Sequence, residues 1–270
     1  KTPLAIRQPL VVAAGGHSQD MLDRDYFAHV TPDSLSASTP PLRAMAQGYS
    51  NSVGENIAVR SIAVDLEQEV LATHDQLFTS SGHRVNLLRG EFSDVGVGIR
   101  RGEFVFSNGS TLDSLMTTEL FGIGGGGAIT GVVFNDAVTD DDRYGVGEGI
   151  ADALLEARAS DGTIYRTHSG PSGGYTLDVP NGVYSIRVTG GGPFRDVTIP
   201  NVQIAGQNVK LDVTPESSPP PSPVGGGGTS PLSPAEIRAL DVSGDGRITP
   251  RDALRVLNYL IEGRTDYDRS

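Results

Sequence analysis

The chain has no cysteine. Disulfides and thiolate-ligated metals are therefore excluded, but export is not, since secreted bacterial proteins do without either. Positive charge is also scarce: 21 Lys and Arg stand against 33 Asp and Glu, for a net charge of −12. That balance argues against nucleic acid as a partner, because neutralising phosphates requires a basic surface. No apolar run approaches the ~20 residues of a membrane span, so no transmembrane helix is expected. A signal-peptide pattern is missing too. The chain opens on Lys1-Thr2-Pro3 at the approach to a helix, which predicts a matured or truncated start.

Glycine and proline are plentiful, 35 and 17, and many fall in two tracts. Gly122 to Gly127 reads as a flexible break, and Pro215 to Ser233 as an unpacked tract with an extended proline half and a floppy glycine half. A chain of 270 residues divided in this way suits separate modules. The expected boundaries are a first domain over 1–122, a linker over 123–127, a second domain over 128–214, a linker over 215–233, a small module over 234–263 and a tail over 264–270.

In the first domain, Leu10, Ala14, His17 and Met21 recur at helical spacing, which predicts an amphipathic helix over 9–26 with His17 as a hydrogen-bonded core histidine. Thr31 to Pro41 is loop, and Leu42 to Gly48 a short helix ending at glycine. The spacing predicts another helix over 61–79, with Ala63, Leu66, Val70, His74 and Leu77 on its inner face. Val95, Val97 and Ile99 then alternate with Gly96, Gly98 and Arg100 as a half-buried strand. Phe104 to Phe106 and Leu115 to Phe121 read as further strands, with a turn at Ser107-Asn108-Gly109-Ser110. Helices followed by a small antiparallel sheet make an α-β-α sandwich when helices cover both faces.

Three motifs carry chemistry in this region: Phe27-Ala28-His29, Gly54-Glu55-Asn56-Ile57-Ala58 and Ser80-Ser81-Gly82-His83-Arg84. Together they resemble the CAP superfamily (SCP/PR-1-like proteins) in its cysteine-free bacterial form. The resemblance implies an α-β-α sandwich in which His29, Glu55 and His83 converge in a cleft. A second acid is not identifiable, Leu77 stands where the family usually has Trp, and Ser81 stands where it usually has Pro. Two neutral imidazoles, His29 and His83, would hold zinc, with Glu55 as partner or base to the bound water. Without a metal, a His–Glu pair can still do acid–base work. A third reading has Glu55 and His83 hydrogen-bonding each other to fix the cleft.

Residues 128–213 change texture. Ile129 to Phe134, Ala153 to Arg158, Tyr175 to Val179, Tyr184 to Val188 and Val209 to Val213 are short β-rich runs, with hairpin-type turns expected at Asp161-Gly162 and Asn181-Gly182. Gly131 to Asp136, Gly147-Glu148-Gly149 and Asn181-Gly182-Val183-Tyr184 resemble SdrD-B or carboxypeptidase-regulatory-like repeats, which implies a prealbumin-like β-sandwich spacer. Asp136, Asp140, Asp142, Glu148 and the Tyr144 carbonyl form an acidic loop that in that pattern holds calcium; the alternative is a solvated acidic hairpin. Gly170-Pro171-Ser172-Gly173-Gly174 mimics a nucleophile elbow, but a strand-like run follows it where a helix is needed, so it reads as a turn.

The last module carries an EF-hand spacing. Asp241, Ser243, Asp245, Arg247, Thr249 and Asp252 occupy loop positions 1, 3, 5, 7, 9 and 12, Arg247 through its backbone carbonyl. Gly246 takes the sharp turn and Ile248 the apolar anchor. With Asp252-Ala253-Leu254-Arg255-Val256-Leu257 after it, the segment resembles a dockerin repeat, a small α calcium-loop module whose partner would be a cohesin-type protein. The whole reads as a multidomain secreted or surface protein. Its CAP cleft either binds a lipid, glycan or peptide without catalysis, or acts as a metal-assisted hydrolase.

Overall fold

In a computed structural model the chain divides into two compact units, Lys1–Gly126 and Gly127–Ser270. The structure describes residues 1–32, 38–63, 65–136, 144–145, 147–190 and 196–214. The 215–233 tract, the EF-hand spacing from Asp241 to Asp252, and Asp140 and Asp142 lie outside the described residues.

The first unit runs β1 (Ala5–Ile6), α1 (Gln8–Asp23), α2 (Pro40–Ala46), β2 (Val53–Ser61), α3 (Leu66–Thr79), α4 (Ser81–Leu88), β3 (Asp94–Val105) and β4 (Thr111–Gly122). Its sheet has the order β1-β3-β4-β2. β1 joins β3 in parallel and the other pairs are antiparallel. Side chains alternate across the sheet. One face meets α1 and α2 through Leu10, Ala14, Ala44 and Leu120, and through Met21, Ile57, Phe104 and Met116. The opposite face meets α3 and α4, where Arg60 Nε donates to Glu69 at 3.0 Å and Asn56 Nδ2 to the His83 carbonyl at 3.2 Å.

The strand read from Val95, Val97 and Ile99 forms, but with its faces reversed. The glycines point inward and Val97 is 42% exposed. The cause is the approach of α1. A Cβ on Gly96 would lie 2.2 Å from the Leu10 carbonyl carbon, and one on Gly98 2.1 Å from the Gly15 amide nitrogen. Helix backbone rests directly on strand backbone, and the Ser18 hydroxyl completes the contact at 2.8 Å from both the Gly98 carbonyl and the Thr118 hydroxyl. Phe104 and Val105 of the expected separate strand are the far end of the same β3, and Phe106 lies just past it.

The helix expected from residue 61 begins at Leu66, because Asp65 caps it by accepting the Gln68 amide at 2.9 Å. Ala63 lies outside it and Leu66 is 46% exposed; the buried positions are Glu69, Leu71, Thr73, Leu77 and Phe78. Glu69 is buried because it takes the Ala63 amide at 3.0 Å as well as Arg60.

The described part of the second unit contains strands and no helix: β5 (Ala128–Val132), β6 (Leu154–Ala159), β7 (Ile164–His168), β8 (Gly174–Asp178), β9 (Gly182–Thr189), β10 (Val197–Ile204) and β11 (Val209–Lys210). They form two sheets, β10-β9-β6-β7 and β11-β5-β8. Ile129 and Leu177 of the smaller sheet, with Val133 just after β5, share one core with Leu155, Ile186 and Val188 of the larger. Asp161-Gly162 makes a hairpin, with Gly162 at φ +89°. Asn181-Gly182 does not: β8 and β9 belong to different sheets, and the Asn181 side chain instead accepts the Gly206 amide at 2.6 Å. Gly170 to Gly174 closes as a turn, with Gly173 at φ +82°.

Two glycines on facing elements test the close approach. Gly98→Ala should destabilise by at least ~1–3 kcal/mol, because helix and strand backbones must separate. Gly16→Ala should stabilise by roughly 0.5–1 kcal/mol, since Gly16 is helical and a Cβ there meets nothing within 4 Å. Thermal unfolding of both variants reads the difference.

Candidate functional site

Glu55 lies on the α1 side of β2 with its side chain only 2% exposed. A carboxylate so placed must be paired and hydrogen-bonded. Oε2 accepts from Arg43 Nη2 at 2.7 Å, and Oε1 lies 2.9 Å from His29 Nδ1. Burial pushes the Glu55 carboxyl above its ordinary range, while the charge of Arg43 and the bond to His29 oppose the shift.

Each partner is delivered by a local feature. α1 ends at Asp23, and Asp25, at φ 50°, turns the chain back so that Tyr26 N–H reaches the Met21 carbonyl at 3.2 Å. This carries His29 over the end of β2. α2 starts on Pro40 and Pro41, which suit a first helical turn, and is closed by Gly48 at φ +92°. Its Arg43 is 7% exposed and also donates to the His29 carbonyl at 3.0 Å and the Ser38 carbonyl at 2.9 Å.

His17 stands behind the pair, 1% exposed, with Nε2 at 3.9 Å from Glu55 Oε1. Nε2 donates to the Ala28 carbonyl at 3.1 Å, and Nδ1 lies 3.4 Å from the Tyr26 hydroxyl, which gives its proton to Asp20 at 2.5 Å. Burial, then the charge of Arg43, lowers the His17 pKa to about 4, so the ring is neutral at physiological pH. A cleft of about 240 Å³ opens beside this network, lined by Val12, Ala13, Gly16, His17, Arg43 and Ala46.

His29 is different. Its side chain is half exposed. A carboxylate oxygen accepts, so Nδ1 is the donor of this pair, and in the neutral ring Nε2 is then the acceptor. Nothing among the described residues bonds to it.

His83 does not join this network. Its Nδ1 pairs with the Ser80 hydroxyl at 2.8 Å, and its carbonyl is held by Asn56. Strand alternation separates the two: Glu55 points to α1 and α2, and its neighbour Asn56 to α4. Asn56 also donates to Glu119 at 3.0 Å, and Glu119 lies 3.7 Å from His74 Nδ1. Among the described residues no three His, Asp and Glu side chains are grouped to hold a metal ion.

Arg43, His17 and Glu119 are absent from the motif reading. A cation inside a short apolar helix between His29 and Glu55 was the available signal for Arg43; Glu119 had none, lying in an ordinary strand. In the second unit, Glu148 is 4% exposed, its carbonyl accepts the Asn135 amide at 2.9 Å, and its Oε2 takes the Gly145 amide at 2.5 Å. The Tyr144 ring packs edge-on against Phe134 at 6.0 Å. Asp136 is half-buried close by in the chain.

No family model matches the chain. An uncharacterized protein of Bacillus subtilis, YkwD, is 33% identical over 96 residues, which is 36% of this chain and 34% of that protein. Among solved structures, an extracellular protein containing an SCP domain from Bacillus anthracis is 30% identical, covering 45% of this chain and 34% of that one, with a TM-score of 0.34. An outer surface protein of Borrelia burgdorferi is 19% identical over 44% of this chain and 77% of that one, with a TM-score of 0.31. The chain spans about a third of the length of the two Bacillus proteins. No helix of the described residues is long and apolar enough to cross a membrane.

The neutral His17 has a pH signature. Its folded pKa, about 4, lies below the ordinary 6.5, so the unfolded chain binds a proton that the folded chain refuses. Its contribution is fully present above pH 6.5 and is lost as the pH falls toward 4, amounting to ~3 kcal/mol at ~1.4 kcal/mol per pH unit. Glu55, shifted upward, slopes the other way. His17→Gln keeps a donor for the Ala28 carbonyl and cannot titrate. Denaturant melts from pH 7 to 4 should show a smaller loss of stability in the variant than in the wild type.

Proposed function

We propose that the first unit is the binding module of a secreted or surface-attached protein, and that its ligand is met by His29. The observation that carries this reading is the state of one ring: Nδ1 is tied to a buried carboxylate at 2.9 Å while the imidazole itself is half exposed, which leaves Nε2 as the nitrogen open to a ligand. Such a nitrogen accepts a hydrogen bond, so the ligand must offer a donor. Of the lipid, glycan and peptide classes, hydroxyl-rich glycans and peptide N–H groups fit best. The similarity to proteins described as extracellular and outer-surface supports the location.

The remaining modules complete the reading. The second unit is a prealbumin-like sandwich acting as spacer, supported by its two strand-only sheets around one core. The tail is a dockerin-like calcium module that docks to a cohesin-type or surface partner, supported by the spacing of Asp241, Ser243, Asp245, Arg247, Thr249 and Asp252. A second calcium ion at Asp136, Asp140, Asp142, Tyr144 and Glu148 rests on the acidic spacing alone. Calorimetric calcium titration of the full chain should show a site that Asp245→Ala removes; identical titrations would end the tail assignment.

The same imidazole favours one second reading, a hydrolase in which Nε2 takes a proton from water or a ligand hydroxyl, with or without zinc shared by His29 and His83. Zinc titration of the wild type and of the His29→Ala, His83→Ala double variant separates the readings. The binding reading expects no difference between them, and loss of glycan or peptide binding in His29→Ala alone. A one-to-one zinc site lost in the double variant would favour the hydrolase.

A further inference from the structure

We propose that Arg43 is the positioning residue of the His29 site: one guanidinium holds the Glu55 carboxylate and the His29 and Ser38 carbonyls, and so fixes which nitrogen of His29 faces outward. The inference rests on the reading of His29 as the ligand contact and adds the group that prepares it.

The geometry points to this residue because it holds both the backbone of His29 and the carboxylate that pairs with the His29 ring. Nη2 bridges Glu55 Oε2 at 2.7 Å and the His29 carbonyl at 3.0 Å, so the same nitrogen grips the ring's backbone and the ring's carboxylate. Nη1 reaches the Ser38 carbonyl at 2.9 Å and anchors the far end of the connecting segment. An arginine presents these donors in a rigid plane and does not lose its charge.

The charge matters as much as the fork. The groups facing Glu55 are His17 from α1, Arg43 from α2 and His29 from the segment after α1. His17 is neutral, with Asp20 and Tyr26 behind it. Arg43 is therefore the fixed cation beside this buried carboxyl. While it is present Glu55 stays a carboxylate, accepts Nδ1–H and leaves Nε2 as an acceptor. Without it, burial favours a protonated Glu55, which no longer selects that tautomer.

The test uses the ligand-free full chain, so it does not depend on which ligand His29 meets. Side-chain carboxyl ¹³C titration reads Glu55, and imidazole ¹⁵N shifts at pH 8 read the His29 tautomer. In Arg43→Met the Glu55 midpoint should rise by about one pH unit or more, and the His29 signals should leave the Nδ1–H pattern of the wild type. Arg43→Lys, which retains the charge, should keep both near wild type. If Arg43→Met does not fold, Arg43→Gln, a neutral donor, should give the same two shifts. A folded neutral variant with unchanged Glu55 midpoint and unchanged His29 tautomer overturns the proposal, as does a lysine variant that behaves like the neutral ones. Failure of every glycan or peptide to bind a wild type with the expected tautomer would instead count against the binding reading.

Discussion

A carboxylate buried at the edge of a small sheet sets the terms for the first unit. Glu55 cannot stay ionised among Ile57, Met116 and the helices without a cation and a second donor. The chain supplies both from outside β2: Arg43 from α2 and His29 from the segment that follows α1. Removing one partner of such a buried pair costs roughly 3–5 kcal/mol. The placement of α2 and of the turn at Asp25 is thus tied to one side chain. The His29 ring is the half-exposed end of that arrangement. It is oriented from the protein side through Nδ1.

The approach of α1 to β3 places the other wall. Because Gly96 and Gly98 carry no side chains, the helix settles onto the strand, and His17 is carried below the surface next to Glu55. Burial keeps that ring neutral, so it adds no second cation beside Arg43. His29 and His17 thus answer to the same carboxylate in opposite states of exposure, one poised at the surface and the other sealed.

Much of this is legible in the sequence where periodicity is strong. α1 and α3 show through their helical spacing, although the start of α3 hides behind the Asp65 cap. β2 does not show at all as a strand. Covered on both faces, it lacks the alternation of a half-exposed strand, and Glu55 and Asn56 sit side by side facing opposite layers. β3 shows as a strand but with its faces inverted, since the pattern of valines assumes a side chain on the inner face where the fold has none. In the second unit, β7 and β10 escape notice because Arg166, Thr167 and Pro200 interrupt any apolar run. The motifs single out His29 and Glu55 but group them with His83, which alternation along β2 directs to Asn56 and Ser80 instead. Arg43 carries no motif: its importance comes from three acceptors brought together only by folding.

If Glu55 holds His29 with its outer nitrogen available, residue-resolved carbethoxylation of the histidines shows it most directly. At pH 7.5, mass spectrometry should show His29 modified faster than the exposed His168, His17 unmodified in the folded chain, and the advantage of His29 removed by Glu55→Gln. A His29 that reacts no faster than His168, or that is indifferent to Glu55→Gln, would contradict the account.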